Sequence, residues 1–166
     1  MPPQFKAIPG AQGFQQSNPS VLATASLIGS LQVFHEAGGM APLRERSLKL
    51  TGHLDALLKK SKWWISPEAA ALRVGREDDP DKSIRFTITT PSDPASRGSQ
   101  LSLLFLPTDG RTMPLVMSAL AAYGVIGDSR KPDVIRLAPT ALYNTMEDVE
   151  RAAEVLEIVM HEVAES

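Results

Sequence analysis

The chain has 166 residues, 43% of them hydrophobic, and its seventeen basic residues stand against nineteen acidic ones for a formal charge of -2. That is enough apolar material for one compact folding unit and marginal for two, and without a basic stripe neither nucleic acid nor an anionic membrane is expected as a partner. Cysteine is absent, which rules out disulfides, thiolate metal sites and a cysteine nucleophile and fits a reducing compartment.

The opening MPPQFKAIPGAQGFQQSNPS carries prolines at 2, 3 and 9 and glycines at 10 and 13, with no period and no apolar core of signal-peptide length. Residues 1–18 therefore read as an extended connector, and residues 19–166 as one domain. No stretch reaches the roughly 18 uninterrupted apolar residues of a membrane span, so a soluble, cytoplasmic chain is expected. Asn18 followed by Pro19 is a helix-start pair, and SVLATASLIGSLQVFHEAGG runs to a Gly38-Gly39 stop. Its small and apolar residues predict a buried helix.

A second helix is expected from Met40 to Lys62, with Leu43, Leu50, Leu54, Leu57 and Leu58 on one face and Lys59, Lys60 and Lys62 where the macrodipole favours cations. Residues 63–83 are irregular, end in an acidic loop, and place Trp63 and Trp64 as packing residues. SIRFTITT and QLSLLFL have strand composition and are joined by the turn residues PSDPASRGS, which predicts an antiparallel pair. MPLVMSALAAYG predicts a short helix ended by Gly124, and VIG and VIRLA predict two short strands around a loop DSRKPD. A last helix starts at Thr145 with Asp148 completing a capping box. Its apolar stripe is Met146, Val149, Ala153, Leu156, Met160 and Val163. The order predicts an α+β fold, with helices on one face of a small mixed or antiparallel sheet.

Chemistry-bearing patterns are few. His35, His53 and His161 lack metal-ligand spacing, and there is no G-x-S-x-G elbow, phosphate loop or G-x-G-x-x-G fingerprint. Two features remain. Ser17 and Asn18 precede a helix whose free N–H groups can either hold a phosphate or simply be capped. Arg136 stands among Val134, Ile135, Leu137 and Ala138, where a guanidinium can grip a carboxylate with two parallel hydrogen bonds or form a structural ion pair with Asp128 or Asp133.

FQQSNPSVLATASLIGSLQVF, RGSQLSLLF, GVIGDSRKPDVIRLAPTALYN and DVERAAEVLEIV together resemble, over about residues 8–164, the C-terminal part of eukaryotic kynureninases of fungal type. These are fold-type I enzymes that use pyridoxal 5'-phosphate. The resemblance implies the small C-terminal domain of such an enzyme, hydrolysing L-kynurenine or its 3-hydroxy form to anthranilate or 3-hydroxyanthranilate and L-alanine, in tryptophan catabolism and NAD biosynthesis. It also implies that Asn18 contacts the cofactor phosphate across a homodimer interface, that Ser17 lies beside it near the substrate, and that Arg136 grips the α-carboxylate of the amino-acid substrate. Tyr143 and Asn144 match the family block but read as packing and turn residues.

The chain departs from the family at Gly127, where cysteine is common, and at Ser20. A larger departure is that the cofactor lysine, the aspartate facing the pyridine nitrogen and the aromatic lid belong to a large domain with no counterpart in these residues, so no catalytic residue is expected here. The large domain or a second subunit would have to supply them, and the chain alone should be inactive. Two other readings are a catalytically silent module pairing with an intact paralogue through the helices at 19–62, and a different fold-type I enzyme.

Overall fold

Helix formation in the computed structural model starts at Ser20, not at Asn18. Ser20 is extended (φ -63°, ψ 120°) and its Oγ accepts the Ala23 N–H at 3.3 Å, so helix α1, Val21–Glu36, begins two residues later than the Asn18-Pro19 pair predicts. It stops as expected: Gly38 and Gly39 take φ of 90° and 81°, the left-handed conformation glycine adopts without a Cβ clash. The structure describes residues 8–76 and 80–165. Residues 1–7 of the expected connector and 77–79 of the expected acidic loop lie outside them.

The described residues divide into two compact units, one up to Met40 and one from Ala41 onward. In the first, a single turn of 3-10 helix at Ala11–Phe14 precedes α1. The expectation that α1 is buried is not met: none of its residues is buried, and Val21, Leu22, Leu27, Ile28, Leu31 and Val33 are exposed. Apolar composition all round a helix demands a covering surface, but composition does not say that the same chain supplies it.

In the second unit, α2 (Met40–Leu58) buries Leu43, Leu50, Leu54 and Leu58 along one stripe. Each buried leucine contributes roughly 1.5–3 kcal/mol over an exposed one. The helix ends four residues before the predicted Lys62, and Lys59 folds back to Asp55 at 2.8 Å. A five-residue helix, α3 (Pro67–Ala71), forms inside the tract expected to be irregular, capped by Ser66 Oγ on Ala69 N–H with Pro67 in the first turn. Trp63 is buried and packs its ring edge to face with His161, centroids 5.2 Å apart.

Four strands follow: β1 (Arg85–Ile88), β2 (Leu101–Leu106), β3 (Asp128–Arg130) and β4 (Val134–Leu137), interrupted by α4 (Thr112–Ala122) between β2 and β3 and followed by α5 (Met146–Glu165). The sheet order is β1-β2-β4-β3, and every pair is antiparallel. β3 occupies the Asp-Ser-Arg predicted as loop, not the Val-Ile-Gly predicted as strand, because a fully exposed edge strand needs only backbone pairing and leaves no apolar alternation to read.

Alternation assigns the faces. Phe86, Ile88, Leu101, Leu103, Phe105, Ile135 and Leu137 point inward and share one core with Leu54 of α2, Val116 of α4 and Leu156 of α5. The fold is therefore the expected α+β domain, a small antiparallel sheet with helices packed on one face.

Candidate functional site

The two strand registers that meet on β4 build the site. Ser102 of β2 and Asp128 of β3 both lie directly across from Arg136, so the three side chains form one row on the sheet face away from the core. This explains the guanidinium in an apolar strand: Ile135 and Leu137 enter the core while the intervening Arg136 points the other way. Its side chain is 27% exposed and that of Asp128 is 49% exposed, so the pair is not sealed inside the fold.

Of the two acids named as possible structural partners, Asp128 pairs with Arg136 and Asp133 does not. Arg136 Nη2 donates to Asp128 Oδ2, while Asp128 Oδ1 takes a second guanidinium, Arg130 Nη1, at 2.8 Å. One carboxylate thus serves two arginines and leaves net positive charge on the row. Arg136 is also under-satisfied: its Nε is buried with no partner, a defect worth about 1–3 kcal/mol when the donor belongs to a buried polar group. Asp133 is fully buried, and its Oδ1 accepts the Gly110 N–H at 2.9 Å. A guanidinium with spare donors, positive surroundings and one exposed side can bind a carboxylate in a geometry that an ammonium cannot copy.

Gly127, at the entry to β3, has no room for a side chain. A Cβ there would stand 2.9 Å from Ile135 Cγ2 and 3.3 Å from the Arg136 carbonyl oxygen. Asn144 acts as the predicted turn residue, its Oδ1 accepting the Thr140 N–H at 2.8 Å. Tyr143 is exposed instead of packed.

Ser17 and Asn18 belong to the first unit and are exposed just ahead of α1, where the Ser17 carbonyl accepts from Gln15 Nε2 at 2.9 Å. The capping role goes to Ser20 and leaves the Asn18 side chain outside the helix. Among the described residues no cluster of histidines and acids could hold a metal; His53 pairs with Glu150 at 3.0 Å. No described helix is long and apolar enough to cross a membrane.

These elements define a small α+β domain whose sheet carries Arg136, paired with Asp128, on its outer face. Residues 76–156 match the family model of the kynureninase C-terminal domain. Nearly the whole chain is homologous to fungal kynureninases: it is 48% identical to that of Eremothecium gossypii over 164 residues, 96% of this chain and 34% of the relative. It is 45% identical to that of Saccharomyces cerevisiae over 159 residues, covering 94% and 33% of the two chains. Against that of Yarrowia lipolytica it is 48% identical over 153 residues, 92% of this chain and 33% of the relative. The chain thus spans about a third of the length of these relatives.

Kynureninases use pyridoxal 5'-phosphate, and the described residues do not fit that group as a complete site. A lysine that condenses with a carbonyl cofactor must shed its proton, which calls for a dry or cationic setting. None of the described lysines is buried, and Lys59 is held by Asp55. The row around Arg136 contains no lysine at all.

Proposed function

We propose that this chain is the part of a kynureninase that receives the acid end of the substrate, with Arg136 gripping the α-carboxylate of L-kynurenine or 3-hydroxy-L-kynurenine. Ser17 is assigned to the substrate side and Asn18 to the cofactor phosphate. The hydrolysis to anthranilate or 3-hydroxyanthranilate and L-alanine needs groups from a large domain or a second subunit, so the chain by itself is assigned no turnover. The observation that carries this reading is the partly exposed, under-satisfied guanidinium of Arg136 on the open side of the sheet, beside a carboxylate it shares with Arg130.

The test is a chimera in which this chain replaces the matching C-terminal third of the Saccharomyces cerevisiae relative. Anthranilate production from L-kynurenine is expected. In that chimera Arg136→Ala should raise KM by on the order of a hundredfold, as loss of a charge-assisted pair of hydrogen bonds requires, with cofactor absorbance unchanged. Unaltered KM in the variant would remove the role given to Arg136.

A second reading, a silent module that pairs with an intact paralogue, draws support from the exposed apolar surface of α1. Copurification of the chain with a full-length kynureninase, together with an inactive chimera, would favour it.

A further inference from the structure

The connection between β1 and β2 bounds a shallow concavity of about 440 Å³ lined by Thr89, Thr90, Ser96, Arg97, Gln100 and Ser102, with no acidic side chain in its wall. Arg97 is its unusual member. Its side chain is only 5% exposed, yet its nearest carboxylate, Asp55, stands 3.7 Å from Nη1. Asp55 is shared, because its Oδ2 is also 2.8 Å from Lys59 Nζ. The only hydrogen bond from the Arg97 side chain among the described residues is a long one, Nη1 to the Pro91 carbonyl at 3.3 Å. A buried cation is costly unless its charge and its donors are both met, and here the charge is met only by a long pair to a carboxylate shared with Lys59, with Nη1 alone hydrogen-bonded within the chain.

The surroundings leave a net positive charge. Arg44 adds another cation, its Nη2 donating to the carbonyls of Pro94 at 2.6 Å and Arg97 at 3.0 Å. Against Lys59, Arg44 and Arg97 stand two carboxylates, Asp55 and Asp93, the second accepting Ala95 N–H at 3.0 Å and Ser96 Oγ at 2.8 Å and also attracted by Arg97, so one positive charge stays in excess. The rest of the wall offers protons. Ser102 Oγ accepts from Gln100 Nε2 at 3.1 Å, and Thr90 Oγ1 accepts from Ser102 N–H at 2.8 Å, so each hydroxyl keeps its own O–H for a guest. A concave wall of donors around an under-neutralised guanidinium is complementary to a small anion and to little else.

We propose that this concavity binds a compact oxyanion, the carboxylate or phosphate group of a small molecule, held by Arg97 with Thr90, Gln100 and Ser102 donating to it. The site is centred on Arg97, shares Ser102 with the row on Arg136, and does not rest on the function proposed above.

The full chain is titrated with inorganic phosphate and, in a parallel arm, with acetate, following arginine Nε–H and backbone amide resonances. Saturable shifts centred on residues 89–102 are expected. Tighter binding of phosphate assigns a phosphorylated guest, and tighter binding of acetate an organic acid. Ser102→Ala leaves the buried arginine in place and should weaken binding roughly tenfold, the worth of one hydrogen bond to a charged group. Arg97→Lys, which keeps the charge but loses the fork, should weaken it further. Arg136→Ala should leave binding intact. Absence of saturable shifts with both probes overturns the inference. So does binding that Arg136→Ala abolishes and Arg97→Lys leaves unchanged, which would give the anion to the other row.

Discussion

Asp133 sits fully buried at the start of β4, with Oδ1 accepting one N–H from Gly110 and Oδ2 accepting nothing. Burial pushes its carboxyl above the ordinary range; the Gly110 N–H opposes that rise and the nearby Asp109 adds to it. The folded value therefore exceeds the unfolded one, about 3.9, so the folded state favours the proton. The associated stability is complete below the unfolded value and is lost as pH rises through the folded one. At neutral pH the charge is a cost. Asp133→Asn keeps the Gly110 contact and removes the charge, so it should stabilise the fold by about 1 kcal/mol at pH 7, with the gain shrinking as pH falls toward 4. Urea midpoints at several pH values check this, and a destabilised variant at pH 7 would mean that Oδ2 has an acceptor's role after all. Gly127 gives the opposite sign. A methyl at that position meets Ile135 Cγ2 at 2.9 Å, so Gly127→Ala should cost roughly 1–3 kcal/mol by overpacking and shift the resonances of Arg136, whose carbonyl is the next atom in the way.

At the N-terminus of α5 the Thr145 Oγ1 accepts the Asp148 N–H at 3.2 Å and Asp148 Oδ2 accepts the Thr145 N–H at 2.9 Å. This is the reciprocal box predicted from Thr145 and Asp148 alone. Thr145→Ala should destabilise the domain by about 1 kcal/mol, seen as a lower thermal midpoint with early fraying of α5. The backbone hydrogen bond from Thr145, followed by the Asn144 side chain, holds the Asp148 carboxyl below its usual range. The contribution of the box is therefore present above the unfolded value and lost as pH falls through the folded one. Elements of this kind were legible in the sequence because their signals are local. The leucine stripe of α2, the alternation in β2 and the Gly124 stop after α4, where φ is 83°, all match. What could not be read depended on partners distant in sequence. α3 is too short for a period, and β3 is a polar edge held by backbone pairing to β4. At the Arg136 site the arginine and its two candidate acids were visible, but the choice between Asp128 and Asp133 required the β3–β4 register. Ser102 and Arg97 carried no local mark that separates them from turn and strand residues.

Across the whole molecule the apolar surface is unevenly spent. The second unit encloses a continuous core from Leu50 to Met160, whereas α1 carries six large apolar residues in solvent and buries none. A helix apolar all round has no stable polar face to show to water, and an exposed patch of this kind drives association. The isolated chain should therefore self-associate through α1. Leu27 and Leu31 lie one turn apart on the same side of the helix, so Leu27→Glu with Leu31→Glu introduces two like charges where two copies would meet. Sedimentation should give a wild-type mass that rises with concentration above 17.9 kDa and a variant mass that stays there. The thermal midpoint of the domain should be the same in both, because neither leucine belongs to its core. A wild-type chain that remains monomeric at all concentrations, or a variant that associates equally, would show that α1 is not the surface through which copies meet.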